Sequence, residues 1–582
     1  MPIGVIAGSS RFMDSIDGGF WQYGDDSWPQ AELIFFAGTF SKHPLTMAAS
    51  KAVLEYIKAH PALYDDINQK TARLTMSLNT WFSATGTPIE IVSAGSLFRF
   101  KFNGNYDILF HHLMLRGIFI WEGRNCFVSV AHADEDIDRF IAAVKESVNA
   151  MRVDGFFGQA GLRPDTRYAV ADSQQRFLQL AARDESGRLA GTIGGVIETP
   201  RNVDSEIMLA AWQLLCERHD ALRMQFTDAG ELQVALAPTV DISEEYAAPA
   251  ACLAEFAARP FDLPAAPLAR LLLVRHEGKT TLAIAAHHSV ADGWSFMVML
   301  RELLHLYDAL ASGKRPDLAA AASYLQAIRA QNIVSEAALP ARLAALPARR
   351  ATPDVLTVMA PSRTYQGQRL VQRLSYPGLT AQLRKASAEL RVTRFAMLNA
   401  LFTLTLEKAV GHSPVPVGVP DAGRDFGQGD ALVGQCVRLL PLCIDSAACA
   451  SLSDVARAIH DGILAQRDEP ALPSRCFHGQ DAPLPLLATF NVEPHAPLAE
   501  LRQWEASLSL LPIGAVEFPL MVNILETKEG LSVELDYQMR YFTEASARAL
   551  LEHFLKAIAV LAEQGEEAVD ALFSSSEALA AS

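Results

Sequence analysis

Two neighbouring imidazoles, His287 and His288, precede a carboxylate and a glycine in the run His287-His288-Ser289-Val290-Ala291-Asp292-Gly293. An imidazole with its ordinary pKa of about 6.5 takes up or returns a proton near neutrality, and a side chain placed for such a transfer contributes roughly 10²–10⁴-fold to a rate. Asp292 can hold the loop or orient a ring, and Gly293 can free a turn and let backbone come close to a substrate. The same residue types also occur in purely structural loops, so the elements around them decide.

Those elements are legible. Arg270–Arg275 and Thr280–His287 alternate as two strands, joined across His276-Glu277-Gly278-Lys279 in a hairpin. After the motif, Phe296, Leu300, Leu303, Leu304, Tyr307 and Leu310 keep helical spacing, and Gly313 supplies a stop. The imidazoles therefore stand where a strand gives way to a loop that leads into a helix.

Composition sets outer bounds. With 582 residues, half of them hydrophobic, the chain can bury several cores, which fits a large enzyme. A net charge of −16 without a concentrated basic tract excludes a nucleic-acid footprint. Seven cysteines (Cys126, Cys216, Cys252, Cys436, Cys443, Cys449 and Cys476) lack metal-ligand spacing and read as thiols of a reducing compartment. The start, Met1-Pro2-Ile3-Gly4-Val5-Ile6, lacks a secretory pattern, and no apolar run is long enough for a bilayer, so the expectation is a cytoplasmic protein with no membrane partner and no bound metal.

Further blocks lie around the motif in a fixed order. Asp172-Ser173-Gln174-Gln175 and Arg218-His219-Asp220-Ala221-Leu222-Arg223-Met224-Gln225-Phe226 precede it. Gly418-Val419-Pro420-Asp421-Ala422-Gly423-Arg424 and Val433-Gly434-Gln435-Cys436-Val437-Arg438-Leu439-Leu440-Pro441-Leu442 follow, and Phe490-Asn491 and Val522-Asn523 fit late strands. With these blocks, roughly Arg167 to Gln564 resembles the condensation domain of nonribosomal peptide synthetases. One departure is Arg438, which stands where that family usually carries asparagine.

The resemblance implies an α/β fold of two chloramphenicol-acetyltransferase-like subdomains, 167–335 and 336–572, arranged as a V with the site between them. It implies amide formation between carrier-bound thioesters. His288 would act on the attacking amine as base, by orienting it, or by stabilising the tetrahedral intermediate. His287 would pack beside the site, Asp292 would hold the loop, and Arg223 would be its ion-pair partner. The domain itself would bind no cofactor, since phosphopantetheine belongs to the partner carrier proteins.

Residues 1–152 read as a separate small α/β lobe, with a strand near Leu33–Ala37, helices from Pro44 and Ala62, short strands, and a last helix from Asp134 toward Met151. Residues 153–166 follow as a linker. Gly4-Val5-Ile6-Ala7-Gly8 and Gly38-Thr39-Phe40-Ser41-Lys42-His43-Pro44-Leu45 resemble the carboxy-terminal part of class III, glutamate-semialdehyde-type aminotransferases. That resemblance implies a pyridoxal phosphate contact at Thr39. The family's Schiff-base lysine has no counterpart in the first 41 residues, so transamination by this lobe is not expected, and pyridoxal phosphate would need the missing half to be supplied.

The pairing of the two resemblances implies a β-amino acyl donor, with upstream aminotransferase or polyketide modules and a downstream adenylation domain as partners in a larger synthetase. Between Gly313 and Gln368 alanine and proline accumulate, and Leu339-Pro340-Ala341-Arg342 recurs at 346–349 as a biased connector. Two rivals stand beside amide formation. One is an acyltransferase on soluble coenzyme A thioesters, to which Asp425-Phe426-Gly427-Gln428-Gly429 bears a faint likeness; the other is a noncatalytic docking module.

Overall fold

The computed structural model describes residues 6–36, 38, 43–157, 167–227, 230–235, 240–314, 316–319, 321–328, 333–344, 364–424, 429–477, 482–493, 499–526 and 530–574. Gly4 and Val5, Thr39 to Lys42, most of the expected linker, the second Leu-Pro-Ala-Arg copy at 346–349 and Asp425 to Gln428 lie outside the described residues. The chain divides into two compact units. One runs through Leu78 and from Ile89 to Ser147, the other from Asn79 to Pro88 and from Val148 onward.

In the first unit Ile89–Ala94 and Leu97–Phe102 form an antiparallel ladder, with Cys126–Phe127 on the far side of Leu97–Phe102. Phe98, Phe100, Phe110 and Phe140 interlock there edge to face, an arrangement that suits the ring quadrupoles. Helices Pro44–Ala59 and Leu63–Ala84 begin close to where the sequence places them. The helix Asp134–Val153 opens on three acidic residues that complement its dipole, and Asp136 accepts the Ala133 N–H at 2.9 Å. Among the described residues, Leu33 to Phe36 do not form the strand expected near Leu33–Ala37. Leu33 to Phe36 are irregular and exposed, because an extended segment becomes a strand only when a neighbour takes up its N–H and C=O groups.

The second unit contains two larger sheets. The first orders Ser507–Leu510, Thr192–Thr199, Lys279–His287, Ala269–His276 and Ile242–Glu245. Ala269–His276 pairs antiparallel with Lys279–His287 as the sequence predicts. The two-residue turn Glu277-Gly278, both at positive φ, has the left-handed backbone that favours a tight hairpin. The second sheet orders Gly367–Ser375, Gly530–Gln538, Leu520–Glu526, Ala488–Glu493, Val417–Asp421 and Arg438–Leu442. Its helices Arg394–Val410 and Glu544–Gln564 bury Phe402 and Phe554 against Phe490, and Asn491 sits opposite Asn523 in parallel register.

The two sheets do not divide cleanly along the chain. Ser507–Leu510 comes from the later part of the sequence yet pairs antiparallel with Thr192–Thr199 in the earlier sheet. All seven cysteines are free thiols, so hydrogen bonding and packing, without disulfides, hold these crossings.

The helix Gly293–Ala311 packs on the first sheet through Phe296, where the strand Thr192–Thr199 offers Gly195. A Cβ on Gly195 would stand 2.4 Å from the Phe296 ring. Gly195→Ala should therefore cost about 1–3 kcal/mol in urea unfolding, and a Phe296→Leu background should recover much of that loss in a double-mutant cycle. Equal losses in both backgrounds would mean that this contact does not set the packing.

Candidate functional site

The strand Lys279–His287 delivers the two imidazoles directly into the loop, and the His288 N–H donates to the Gly191 carbonyl at 2.6 Å. Gln174 secures the same loop from the helix Asp172–Ala181, donating to the Ser289 carbonyl at 2.8 Å. His288 is half-buried, and its ring stacks on Phe177 with centroids 4.5 Å apart and planes 12° apart. Its Nδ1 has no hydrogen-bond partner among the described residues.

His287 is sealed in. Its Nδ1 meets the Ser289 hydroxyl at 2.7 Å, and the ring packs edge-on against Phe177 and Phe261. The backbone of Gly191 runs so close that a Cβ there would lie 2.7 Å from the His287 Nε2. His287 is thus a wedge that fixes the loop beside its neighbour.

Both rings are held neutral. Burial, then the neighbouring His288, pushes His287 down to about 3. For His288 burial acts first and the Arg176 guanidinium second, while the Asp292 carboxylate pulls the other way, leaving it at about 4. A neutral imidazole carries one hydrogen-bond acceptor and one donor nitrogen; the ring is half-buried, and its unpartnered Nδ1 is on the sealed side.

Asp292 does not touch the imidazoles as an orienting partner. It caps the helix Gly293–Ala311: its Oδ1 accepts the Ser295 N–H at 2.8 Å and the Ser295 hydroxyl at 2.7 Å. The same oxygen accepts from Arg424 Nη2 at 2.7 Å, and Oδ2 accepts the Cys436 N–H at 3.0 Å. The ion pair expected with Arg223 is therefore made by Arg424. Arg223 lies elsewhere, where it donates to the Ala235 carbonyl at 2.6 Å and faces Asp220 and Glu217.

The rest of the arginine block is a structural clamp. Arg218 and His219 both close on Glu302 of the long helix at 2.8 Å, and Asp220 accepts the Tyr324 N–H at 2.9 Å. Gly293 departs from its expected use as well. It is the first helical residue, its φ is not positive, and a Cβ there would meet nothing within 4 Å. The turn does not need glycine; the exposed backbone leaves room for a close approach. Thr39 lies outside the described residues.

The segment Gly434-Gln435-Cys436 from the second sheet's side completes the site. Ser173 and Tyr324 both donate to the Gln435 carbonyl, at 3.1 and 2.7 Å, and Ser295 donates to the Gly434 carbonyl at 2.8 Å. Gly434 has φ +156°, and a Cβ would strike the Tyr324 ring at 2.0 Å, so this crossing requires glycine. Gln435 is fully buried, and its Oε1 makes no hydrogen bond among the described residues. Residue patterns gave no role to Gln435 or Tyr324. Arg424, by contrast, ends a block already legible in sequence.

The chain is similar to known proteins in sequence and in fold. The family model described as "Condensation domain" matches residues 165–581. One of the linear gramicidin synthase proteins of Brevibacillus parabrevis is 27% identical over 419 residues, 64% of this chain and 8% of that protein. Surfactin synthase subunit 1 of Bacillus subtilis (strain 168) is 25% identical over 440 residues, 69% of this chain and 12% of that protein. The chain thus spans only a small part of these relatives. Glutamate-1-semialdehyde 2,1-aminomutase of Alkaliphilus oremlandii (strain OhILAs) is 30% identical over 165 residues, 26% of this chain and 36% of that protein. In fold, the chain is similar to the starter condensation domain of rhizomide synthetase RzmA, crystallised with C8-CoA, with TM-score 0.57 and 20% identity. That likeness covers 70% of this chain and 97% of the other.

Two outcomes are expected. Arg424→Met leaves Asp292 as a buried carboxylate without its cation and should cost about 3–5 kcal/mol in urea unfolding, whereas Arg223→Met should leave the Asp292 contacts in place; equal behaviour would refute the reassignment. The lowered imidazole pKa values also have a sign. Unfolded histidines bind protons below about 6.5 while the folded rings do not, so stability should fall as pH drops from there toward about 4. Thermal unfolding of His287→Gln should show a weaker loss across that window.

Proposed function

The chain belongs to the condensation-domain family over residues 165–581, and from that premise we propose that it forms an amide bond between two carrier-tethered substrates. The donor is an acyl thioester of the β-amino acyl class, and the acceptor is an aminoacyl thioester. The single observation that carries this reading is the partly open His288, neutral, stacked on Phe177, and placed where segments of both sheets meet.

In the reaction, the acceptor amine attacks the donor carbonyl, the C–N bond forms, charge collects on the carbonyl oxygen, and the thiol leaves. The attacking nitrogen must shed one proton, and the departing sulfur can take one up. A neutral His288 accepts a hydrogen bond from the amine and so aims the amine's lone pair at the carbonyl carbon, which favours an orienting role over that of a strong base. His287 keeps the loop rigid, and Asp292 with Arg424 fixes where the loop stands.

Residues 1–152 are read as the carboxy-terminal part of a class III aminotransferase, a reading supported by the 30% identity to the aminomutase. Residues 153–166 are the linker, and 167–335 and 336–572 are the two chloramphenicol-acetyltransferase-like subdomains in a V. Two sheets support two lobes, with Ser507–Leu510 of the second span crossing back into the first sheet. The expected pyridoxal phosphate contact, Thr39, lies outside the described residues, and no step runs through that cofactor. Phosphopantetheine arrives on acyl and peptidyl carriers, and the setting is a cytoplasmic synthetase with upstream aminotransferase or polyketide modules and a downstream adenylation domain. Among the described residues no helix is long and apolar enough to cross a membrane.

The test is amide formation followed by mass spectrometry, with the full chain and loaded carriers. His288→Ala should slow product formation by roughly 10²–10⁴-fold while carrier binding survives. Unchanged product formation would reject the role assigned to His288, and absence of product from the wild type as well would favour the docking module. Turnover of free coenzyme A thioesters as fast as that of carrier-bound ones would favour the soluble acyltransferase.

A further inference from the structure

A second buried arginine–carboxylate pair stands beside His288, and burial pushes the Glu517 carboxyl up. Arg176 lies on the helix Asp172–Ala181, and Glu517 comes shortly before the strand Leu520–Glu526. Their side chains are only 5% and 7% exposed, and Arg176 Nε is 3.6 Å from Glu517 Oε1. A buried pair of this kind is a poor device for stability, since apolar residues of similar volume often hold a core as well or better.

Its placement is specific. The Arg176 guanidinium carbon is 4.4 Å from the centroid of Phe177, the same fully buried ring on which His288 stacks at 4.5 Å. A full positive charge is therefore fixed one aromatic ring away from the imidazole, in a region where little water screens it. The other groups around the imidazole do not cancel this. His287 on the same loop is neutral, and the Gln435 carboxamide carries no charge. Asp292 opposes it, as do a backbone hydrogen bond and the Gln435 side chain, but Asp292 is paired with Arg424, and the imidazole still ends below its ordinary range. The Tyr324 phenol and the Cys436 thiol beside Asp292 are kept protonated by burial. Glu517 balances the cation and keeps it in place from the second sheet's side.

We infer that Arg176, clamped by Glu517, is a positioning residue for the amide-forming reaction proposed above, on which this inference rests: its fixed charge against Phe177 keeps His288 a hydrogen-bond acceptor for the attacking amine. A protonated ring would present a donor to that amine and repel any amine still carrying its proton. Arg176 touches no reacting atom; it acts through the ring.

The test combines histidine NMR titration of the full-length protein, with His288 assigned by comparison with His288→Ala, and the pH profile of kcat/KM with carrier-bound substrates. In the wild type the His288 midpoint should lie well below the ordinary value of about 6.5. Arg176→Gln should raise that midpoint by about one unit or more and move the acid limb of kcat/KM up with it, while Arg176→Lys stays close to the wild type. If Arg176→Gln fails to fold, Arg176→Met/Glu517→Leu removes both charges of the pair and should move the midpoint up in the same direction. An unchanged midpoint in the folded variant overturns the inference even if His288→Ala is inactive. A shifted midpoint together with a fully active His288→Ala overturns the amide-forming reading, and the inference with it.

Discussion

A buried carboxylate is the constraint on which the site depends. Asp292 is fully buried, and its two oxygens take donors from its own helix, from Arg424 and from the backbone of Cys436. Leaving such a group short of partners is costly, so the loop, the helix start and the Gly434–Cys436 crossing must all be in place together. Arg424 extends the same network to the Gly429 and Leu432 carbonyls at 2.8 and 2.7 Å. One interaction thus couples segments far apart in sequence and determines where His288 stands.

Rigidity there serves chemistry because acyl transfer to an amine depends on placing two tethered reactants with sub-ångström tolerance. The His287 ring fills the space against Gly191, so the loop cannot settle inward. The stack of His288 on Phe177 sets its tilt, and the Gly191 carbonyl holds its backbone. Charge follows from the same packing. Neutral rings are what a dry pocket favours, and a neutral ring orients an amine better than it stores a proton.

Much of this was legible in the chain itself, and the failures share a cause. The hairpin and the helix after the motif rest on local periodicity, the strands around Asn491 and Asn523 on the order of the family's blocks, and all were placed correctly. The partner of Asp292 was not. Arg223 lies within one ordered block and Arg424 ends another, and which of them reaches Asp292, 132 residues from Arg424, is a tertiary fact that local pattern does not encode. The strand Ser507–Leu510 went unpredicted for a similar reason: it is short and mostly exposed, and its partner lies some three hundred residues earlier. At Leu33 to Phe36 the error ran the other way, since apolar residues alone were read as a strand where no ladder forms.

The departure at Arg438 shows how such a network tolerates change. Arg438 sits directly opposite Asp421 in the antiparallel ladder and pairs with it at 2.7 Å, and Arg467 reaches the other oxygen of the same carboxylate at 3.1 Å. The long side chain is therefore absorbed by a cross-strand ion pair at a partly exposed position, of the kind that contributes modestly to a sheet. Just before it, Gly434 and Cys436 meet Ser295 and Asp292 through backbone groups, whose geometry does not depend on the side chain at 438. A position can thus leave the family pattern without loosening the site, provided that the grip on Asp292 runs through the main chain.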